Sequence, residues 1–133
     1  MLSLKTVIRT QDFEASKLFY TQALKLKIIE EYNDDNGVKG IILSLGEGNN
    51  GLIEISEISD LNQSFQLAFD KAVSNDKISL QIKTDDIASW SLHLKNRYEC
   101  TGPILKPWNA SYLYLRDPDG IQIVLYQEGE KRN

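Results

Sequence analysis

The side chains best equipped for recognition chemistry in this sequence are aromatic, and they crowd its second half. Trp90, Trp108, Tyr112, Tyr114 and Tyr126 all lie there. In the stretch YLYLRDPDGIQIVLY, strand alternation puts Tyr112, Tyr114 and Arg116 on one face and Leu113 and Leu115 on the other. Such a face can stack a planar ligand, with Arg116 offered to an anion. It can equally pack against a helix or a second copy of the chain. Conventional catalytic residues are scarce. The single histidine, His93, falls on a predicted helix three residues after Trp90 and reads as an ordinary surface or half-buried side chain. The lone Cys100 excludes an internal disulfide and has no assignable His, Asn or Asp partner, so it reads as a structural thiol in a reducing compartment. No catalytic residue is assigned.

The elements that must position these residues follow from periodicity and turn chemistry. Tyr112–Tyr126 is a β-hairpin closed by Asp117-Pro118-Asp119-Gly120. There Asp bonds back to following amides, Pro presets φ, and Gly takes the last position of a type I turn. Upstream, Leu4–Thr10 reads as a strand. Asp12 caps a helix carrying Ala15, Leu18, Phe19, Ala23 and Leu26. Lys27–Tyr32, Gly40–Leu45 and Leu52–Ile58 are strands separated by turns at Asn33–Gly37 and Gly46–Gly51. The order then repeats: a strand at Lys77–Lys83, a helix capped by Asp86 with Ile87, Trp90 and Leu94 on one side, an extended Glu99–Ile104, and the hairpin. The expectation is one domain over 1–133: a βαβββ module at 1–58, a packed connector at 59–76 carrying Phe65, Leu67 and Phe69, and a second module at 77–127. A polar, frayed tail follows from Gln127 to Asn133.

The composition narrows the function classes. With 41% apolar and 26% charged residues, the chain reads as an ordinary soluble globule. A net charge of −4 without a Lys/Arg cluster argues against nucleic acid as a partner. Met1 is followed by alternating polar residues in place of a signal peptide, and no apolar run approaches the roughly 20 residues that span a bilayer. These features predict a cytoplasmic location and no membrane partner.

Several marks, in order and at suitable spacing, carry a resemblance. They are Asp12 with Leu18-Phe19-Tyr20 and Leu24 on the first helix, Leu52-Ile53-Glu54-Ile55, Pro107-Trp108 before the last hairpin, and Asp117-Pro118-Asp119-Gly120. Together the chain resembles the glyoxalase/bleomycin-resistance/extradiol-dioxygenase group, the vicinal oxygen chelate superfamily. The resemblance implies an α+β fold of two βαβββ modules whose curved mixed sheet encloses a cup, often completed across a homodimer. It also implies a small-molecule ligand, and makes Trp108, similar to the family's tryptophan before the last hairpin, the best single candidate for contact with it. Asn109 replaces the glycine that commonly follows that tryptophan.

The resemblance further implies four cup-facing positions that hold metal ligands in metal-dependent members. Here they fall on Lys5, Glu54, Lys77 or Ser79 (depending on how the strand is anchored), and Val124. A protonated lysine repels a cation and valine has no donor, so one carboxylate remains and no metal or other cofactor is expected. Lys5, Glu54 and Lys77 could instead line a site for an anion, with Glu54 held charged by ammonium neighbours. Alternatively they are ordinary surface ion pairs. Ligand-binding candidates are therefore Lys5, Glu54, Lys77, Trp108, Tyr112, Tyr114 and Arg116. The leading functional expectation is metal-free binding of a small anionic or aromatic molecule. The alternatives are a metal-dependent lyase, isomerase or dioxygenase, and a dimeric interaction module without ligand. Lysines where the cup should be disfavour the cationic drug bleomycin.

Overall fold

A computed structural model describes residues 2–33, 38–46, 51–58 and 77–129. The expected turns at 34–37 and 47–50, the connector at 59–76 and the end of the tail at 130–133 lie outside the described residues. Contacts group the chain into two compact units, Met1–Ala72 and Val73–Asn133.

The first unit runs β1 (Lys5–Thr10), α1 (Phe13–Leu18) continuing into a π-helical turn (Phe19–Ala23), β2 (Lys27–Asn33), β3 (Lys39–Ser44) and β4 (Leu52–Glu57). Its sheet has the order β1-β4-β3-β2, with β1 parallel to β4 and the other pairs antiparallel. The second unit repeats the plan with β5 (Ser79–Lys83), α2 (Ile87–Lys95), β6 (Cys100–Lys106), β7 (Ala110–Arg116) and β8 (Gln122–Glu128), in the order β5-β8-β7-β6. Each unit is a βαβββ module, as the alternation and caps predict.

Alternation gives each sheet one apolar face. Ile41, Leu43, Ile53 and Ile55 are buried on the side where α1 packs, and Leu113, Leu115, Ile123 and Leu125 are buried in the second unit, where α2 contacts β7 and β8. Each such side chain contributes about 1.5–3 kcal/mol when fully buried. Both helices start from the same device, Thr-x-Asp. Asp12 Oδ1 accepts from the Ala15 amide at 3.2 Å and Asp86 Oδ1 from the Ser89 amide at 3.1 Å. Thr10 and Thr84 in turn accept from the amides of those aspartates. The hydrogen bonds at Asp86 hold its carboxyl below the usual aspartate value, first through the Ser89 hydroxyl.

Three expectations need correction. Leu18 is 51% exposed, and the buried stripe is Phe13, Ser16, Phe19, Tyr20, Ala23 and Leu24. At 100° per residue Leu18 points away from Phe13, Ser16 and Tyr20, and the buried stripe continues through the π turn, where the Leu24 amide reaches back to the Phe19 carbonyl. The second module's first strand begins at Ser79, not Lys77, because Ser79 is the first residue with a partner, Gln122, on β8. Since Lys5 pairs Leu52 at the same place in the first sheet, Ser79 and not Lys77 is the register equivalent of Lys5, and Val124 is that of Glu54. Finally, β6 continues to Lys106, past a bulge between Thr101 and Ile104 at Gly102-Pro103. Proline is tolerated there because β6 is an edge strand.

The Asp117–Gly120 turn forms as its chemistry predicts. The buried Asp117 carboxylate accepts from the amides of Asp119 (2.9 Å) and Ile121 (2.8 Å), and Gly120 adopts φ +87°. Among the described residues, no helix is long and apolar enough to cross a membrane.

Candidate functional site

Each sheet has a second face that its helix does not cover, and the candidate residues divide between these two faces. In the first unit, β1 and β4 are parallel and in register, so Lys5 and Glu54 rise from adjacent strands on that face. Lys5 Nζ donates to Glu54 Oε1 at 2.7 Å. The other oxygen of Glu54 accepts from the Tyr32 hydroxyl at 2.9 Å, and the Ser56 hydroxyl bonds Tyr32 in turn. Tyr32 reaches this position because its cross-strand partner is Gly40, whose missing side chain leaves room for the ring.

The electrostatics follow from this geometry. Burial alone would raise the pKa of Glu54. The hydrogen bonds from Lys5 and Tyr32, aided by the charges of Lys5 and Arg9, outweigh it and hold the carboxyl below its ordinary value. The bond to Glu54 raises Lys5 above the ordinary lysine value, and burial raises Tyr32. Glu54 is therefore an ionised carboxylate with both oxygens engaged by donors.

In the second unit, the uncovered face is aromatic. Tyr112 stacks on Tyr126 (ring centroids 5.5 Å apart, planes 17° apart) and on Tyr114 (6.2 Å, 23°). Register makes this possible, since Tyr112 lies directly opposite Tyr126 and Tyr114 directly opposite Val124. Trp108, carried on the tight turn between β6 and β7, meets Tyr112 edge-on at 5.9 Å. Its indole Nε1 donates to the Tyr112 hydroxyl at 3.3 Å, while Trp108 itself is 64% exposed. Asn109 supports the turn with φ +62°, and its carbonyl accepts from the Gly129 amide at 2.7 Å.

Of these rings Trp108, Tyr112 and Tyr126 line a groove of about 930 Å³, together with Lys106, Pro107 and Glu128 among others. That volume suits a drug-sized molecule. The Lys106 ammonium sits 5.5 Å from the Tyr114 ring centroid, and Glu128 is tied to Lys83 at 3.2 Å.

Of the sequence candidates, the structure brings Lys5 and Glu54 together in one unit and Trp108, Tyr112 and Tyr114 together in the other. It does not bring Arg116 to the groove. Arg116 Nη1 donates to the Gly120 carbonyl at the hairpin tip, four residues from Tyr112, which is about 13 Å along a strand. Lys77 precedes β5 in the second unit. His93 is half-buried against Trp90, and Cys100 is half-buried at the start of β6. Sequence reasoning missed Tyr32, Ser56 and Lys106 as site residues and left Tyr126 unassigned. Tyr126 had a signal, because it shares the parity of Tyr112 across a four-residue turn. Tyr32 and Lys106 had none without the strand register.

A divalent metal needs three or four converging nitrogen or oxygen donors with an open position for substrate. Glu54 is bound by an ammonium and a phenol, Lys5 is itself a cation, Ser79 offers one neutral hydroxyl, and Val124 is fully buried without a donor. Among the described residues, no group of three or more His, Cys, Asp or Glu side chains comes together. The donor set does not fit a divalent ion.

Comparison with solved structures places the fold among known proteins. The chain is similar to TnmS3, an antibiotic binding protein from Streptomyces sp. CB03234, at 18% identity and TM-score 0.72, with 97% of each chain covered. It is similar to glyoxalase I from Zea mays at 20% identity and TM-score 0.75, covering 97% of this chain and 45% of that one. It is also similar to FosX, a fosfomycin resistance protein from Listeria monocytogenes, at 14% identity and TM-score 0.67, covering 97% and 94%. No protein of curated function matches the sequence at a significant level. A family profile matches residues 4–125, and with it the chain belongs to the Glyoxalase/Bleomycin resistance protein/Dioxygenase superfamily.

Proposed function

We propose that this protein binds a planar aromatic small molecule without a metal, against the wall of Tyr112, Tyr114 and Tyr126 with Trp108 at its rim. The observation that carries this reading is the stacked tyrosine ladder beside an open groove of ligand size. An aromatic guest stacked on such rings gains about 0.5–1.5 kcal/mol per ring pair beyond the area it buries. An exposed tryptophan with its indole N–H held by Tyr112 is poised to cover the guest. The donor set at Lys5, Glu54, Ser79 and Val124 favours binding over metal-assisted catalysis. The likeness to an antibiotic binding protein agrees in kind, though at this identity it speaks for the fold alone.

Two measurements on the purified protein test the proposal. Elemental analysis should find no stoichiometric divalent metal, and a bound metal that supports turnover would favour the lyase, isomerase or dioxygenase alternative. Titration with two-ring aromatic compounds should give saturable thermal stabilisation, because a ligand that binds only the native state must raise its stability. Trp108→Ala should weaken that effect while leaving the unliganded melting temperature unchanged, since Trp108 is largely exposed. No stabilisation by any aromatic probe would sink the reading and leave an interaction module without ligand.

A further inference from the structure

Resting on the aromatic-groove reading, we infer that the groove selects aromatic anions, an arene carboxylate or sulfonate, and that Lys106 and the Tyr112 hydroxyl form its anion-recognising pair. The polar groups lining the groove are unequal in what they have left to offer. Its acid, Glu128, is already engaged by Lys83. Its ammonium, Lys106, lies over the Tyr114 ring and has no carboxylate within ion-pair distance among the described residues. The Tyr112 oxygen accepts from Trp108 Nε1, which leaves its own O–H proton to donate. The groove therefore presents a cation and a hydroxyl donor to whatever stacks on the wall, while its one carboxylate, Glu128, is paired with Lys83.

The backbone explains how Lys106 comes to this face. Between Thr101 and Ile104, β6 takes three steps where β7 takes two from Tyr114 to Tyr112, so the bulge reverses side-chain parity beyond it. Ile104 then lies opposite Tyr112 and Lys106 opposite Ala110, with its long stem able to return along the rings. Seated 5.5 Å over the Tyr114 ring, the ammonium is directed toward the rings, where an aromatic guest would bring its own charge.

The test compares 2-naphthoate with the cation 2-naphthylmethylammonium by isothermal titration calorimetry at low ionic strength, on the full chain. Naphthoate should bind about tenfold more tightly, the scale of one charge-assisted hydrogen bond at a partly exposed site. Lys106→Gln should abolish the preference while both probes still bind, and Lys106→Arg should restore it. Equal affinity of the two probes, or a preference that survives Lys106→Gln, overturns the anion inference and leaves aromatic binding standing. Failure of both probes to bind overturns the aromatic reading together with the inference. Lys106 is a groove-rim residue on an edge strand, so circular dichroism of Lys106→Gln should match that of the wild type and leave the comparison readable.

Discussion

Gly40→Ala is the substitution that tests the first unit's polar network most directly. Gly40 is buried and faces Tyr32 across the β2–β3 ladder. A Cβ added there would fall on Cζ and Oη of the Tyr32 ring, far inside van der Waals contact. No left-handed backbone angle is involved, so the whole cost is steric and falls on the tyrosine. To make room, the ring must leave, and with it the 2.9 Å hydrogen bond to the Glu54 carboxylate. A hydrogen bond to a charged group contributes about 1.5–3 kcal/mol, and the partial burial of this one argues for the lower end. Overpacking a strand face costs about 1–3 kcal/mol when it cannot relax, but a ring tip can swing away, so little is added. The expected loss is about 2 kcal/mol.

The context dependence of that loss is the sharper prediction. In a Tyr32→Ala background the obstacle is gone, and Gly40→Ala should become neutral or stabilise by about 0.5–1 kcal/mol through lower chain entropy in the unfolded state. Tyr32→Phe, which keeps the ring over Gly40 but removes the hydroxyl, should cost about 1.5–2 kcal/mol, most of the Gly40→Ala loss. Urea unfolding followed by far-ultraviolet circular dichroism is the suitable assay, because both tryptophans, Trp90 and Trp108, lie in the other unit and would report on it instead. Equal cost of Gly40→Ala with and without Tyr32 would refute the argument that the ring occupies the glycine's empty volume.

Other outcomes follow from the same geometry. Because the folded-state pKa of Glu54 is depressed, its stabilising contribution should be complete above the ordinary carboxylate value and vanish as pH falls through and below it; the acid limb of the urea midpoint should therefore flatten in Glu54→Gln, and an unchanged limb would count against the network. Val124→Glu restores the carboxylate usual in metal-dependent relatives but puts it at a fully buried position, so it should cost about 3 kcal/mol at neutral pH. That cost should lessen as pH falls and the carboxyl protonates, and stoichiometric uptake of a divalent ion by this variant would contradict the donor-set argument. Asp117→Ala strands the amides of Asp119 and Ile121 and should lose about 2–3 kcal/mol in thermal denaturation. Asp117→Asn keeps an acceptor and should lose less, so equal losses would show that the carboxylate's bonds are not what holds the turn.

How much of this was legible in the sequence depended on whether the information was local. The final hairpin was legible because period-two alternation and the Asp-Pro-Asp-Gly turn act within a few residues. Both helix starts were legible for the same reason, since an Asp cap needs only the amide three residues on. Leu18 was misplaced because the buried face runs through Ser16, a polar residue that gives no apolar signal, while Leu18 points away from it. Ser79 could be separated from Lys77 only once β8 supplied a partner. Arg116 had the right parity for the aromatic face, but the Gly120 carbonyl at the turn competes for its guanidinium. Lys106 was invisible because the β6 bulge reverses the alternation that would be used to place it. For Ser79 and Lys106 the missing term was cross-strand register, a long-range quantity.

Register also turns the repeat into an internal comparison. On the helix-facing side the two units hold like residues at equivalent places: Ile53 and Ile123, Ile55 and Leu125, Ile41 and Leu113, Leu43 and Leu115. Core packing constrains that side in both units. On the uncovered side the equivalents are Gly40 and Tyr112, Ile42 and Tyr114, Ser56 and Tyr126, Glu54 and Val124. None of these four pairs is alike. The first unit admits a single ring, Tyr32, from the edge strand β2, and uses its hydroxyl to help satisfy a carboxylate. The second unit raises three rings from its two inner strands around a buried valine, and two of them, Tyr112 and Tyr126, line a groove. A carboxylate already engaged by an ammonium and a phenol has little left to give a ligand, whereas half-buried tyrosines and an exposed tryptophan beside open volume still present surface to one. That asymmetry, set on a shared scaffold, is the physical reason to look for the ligand in the second unit.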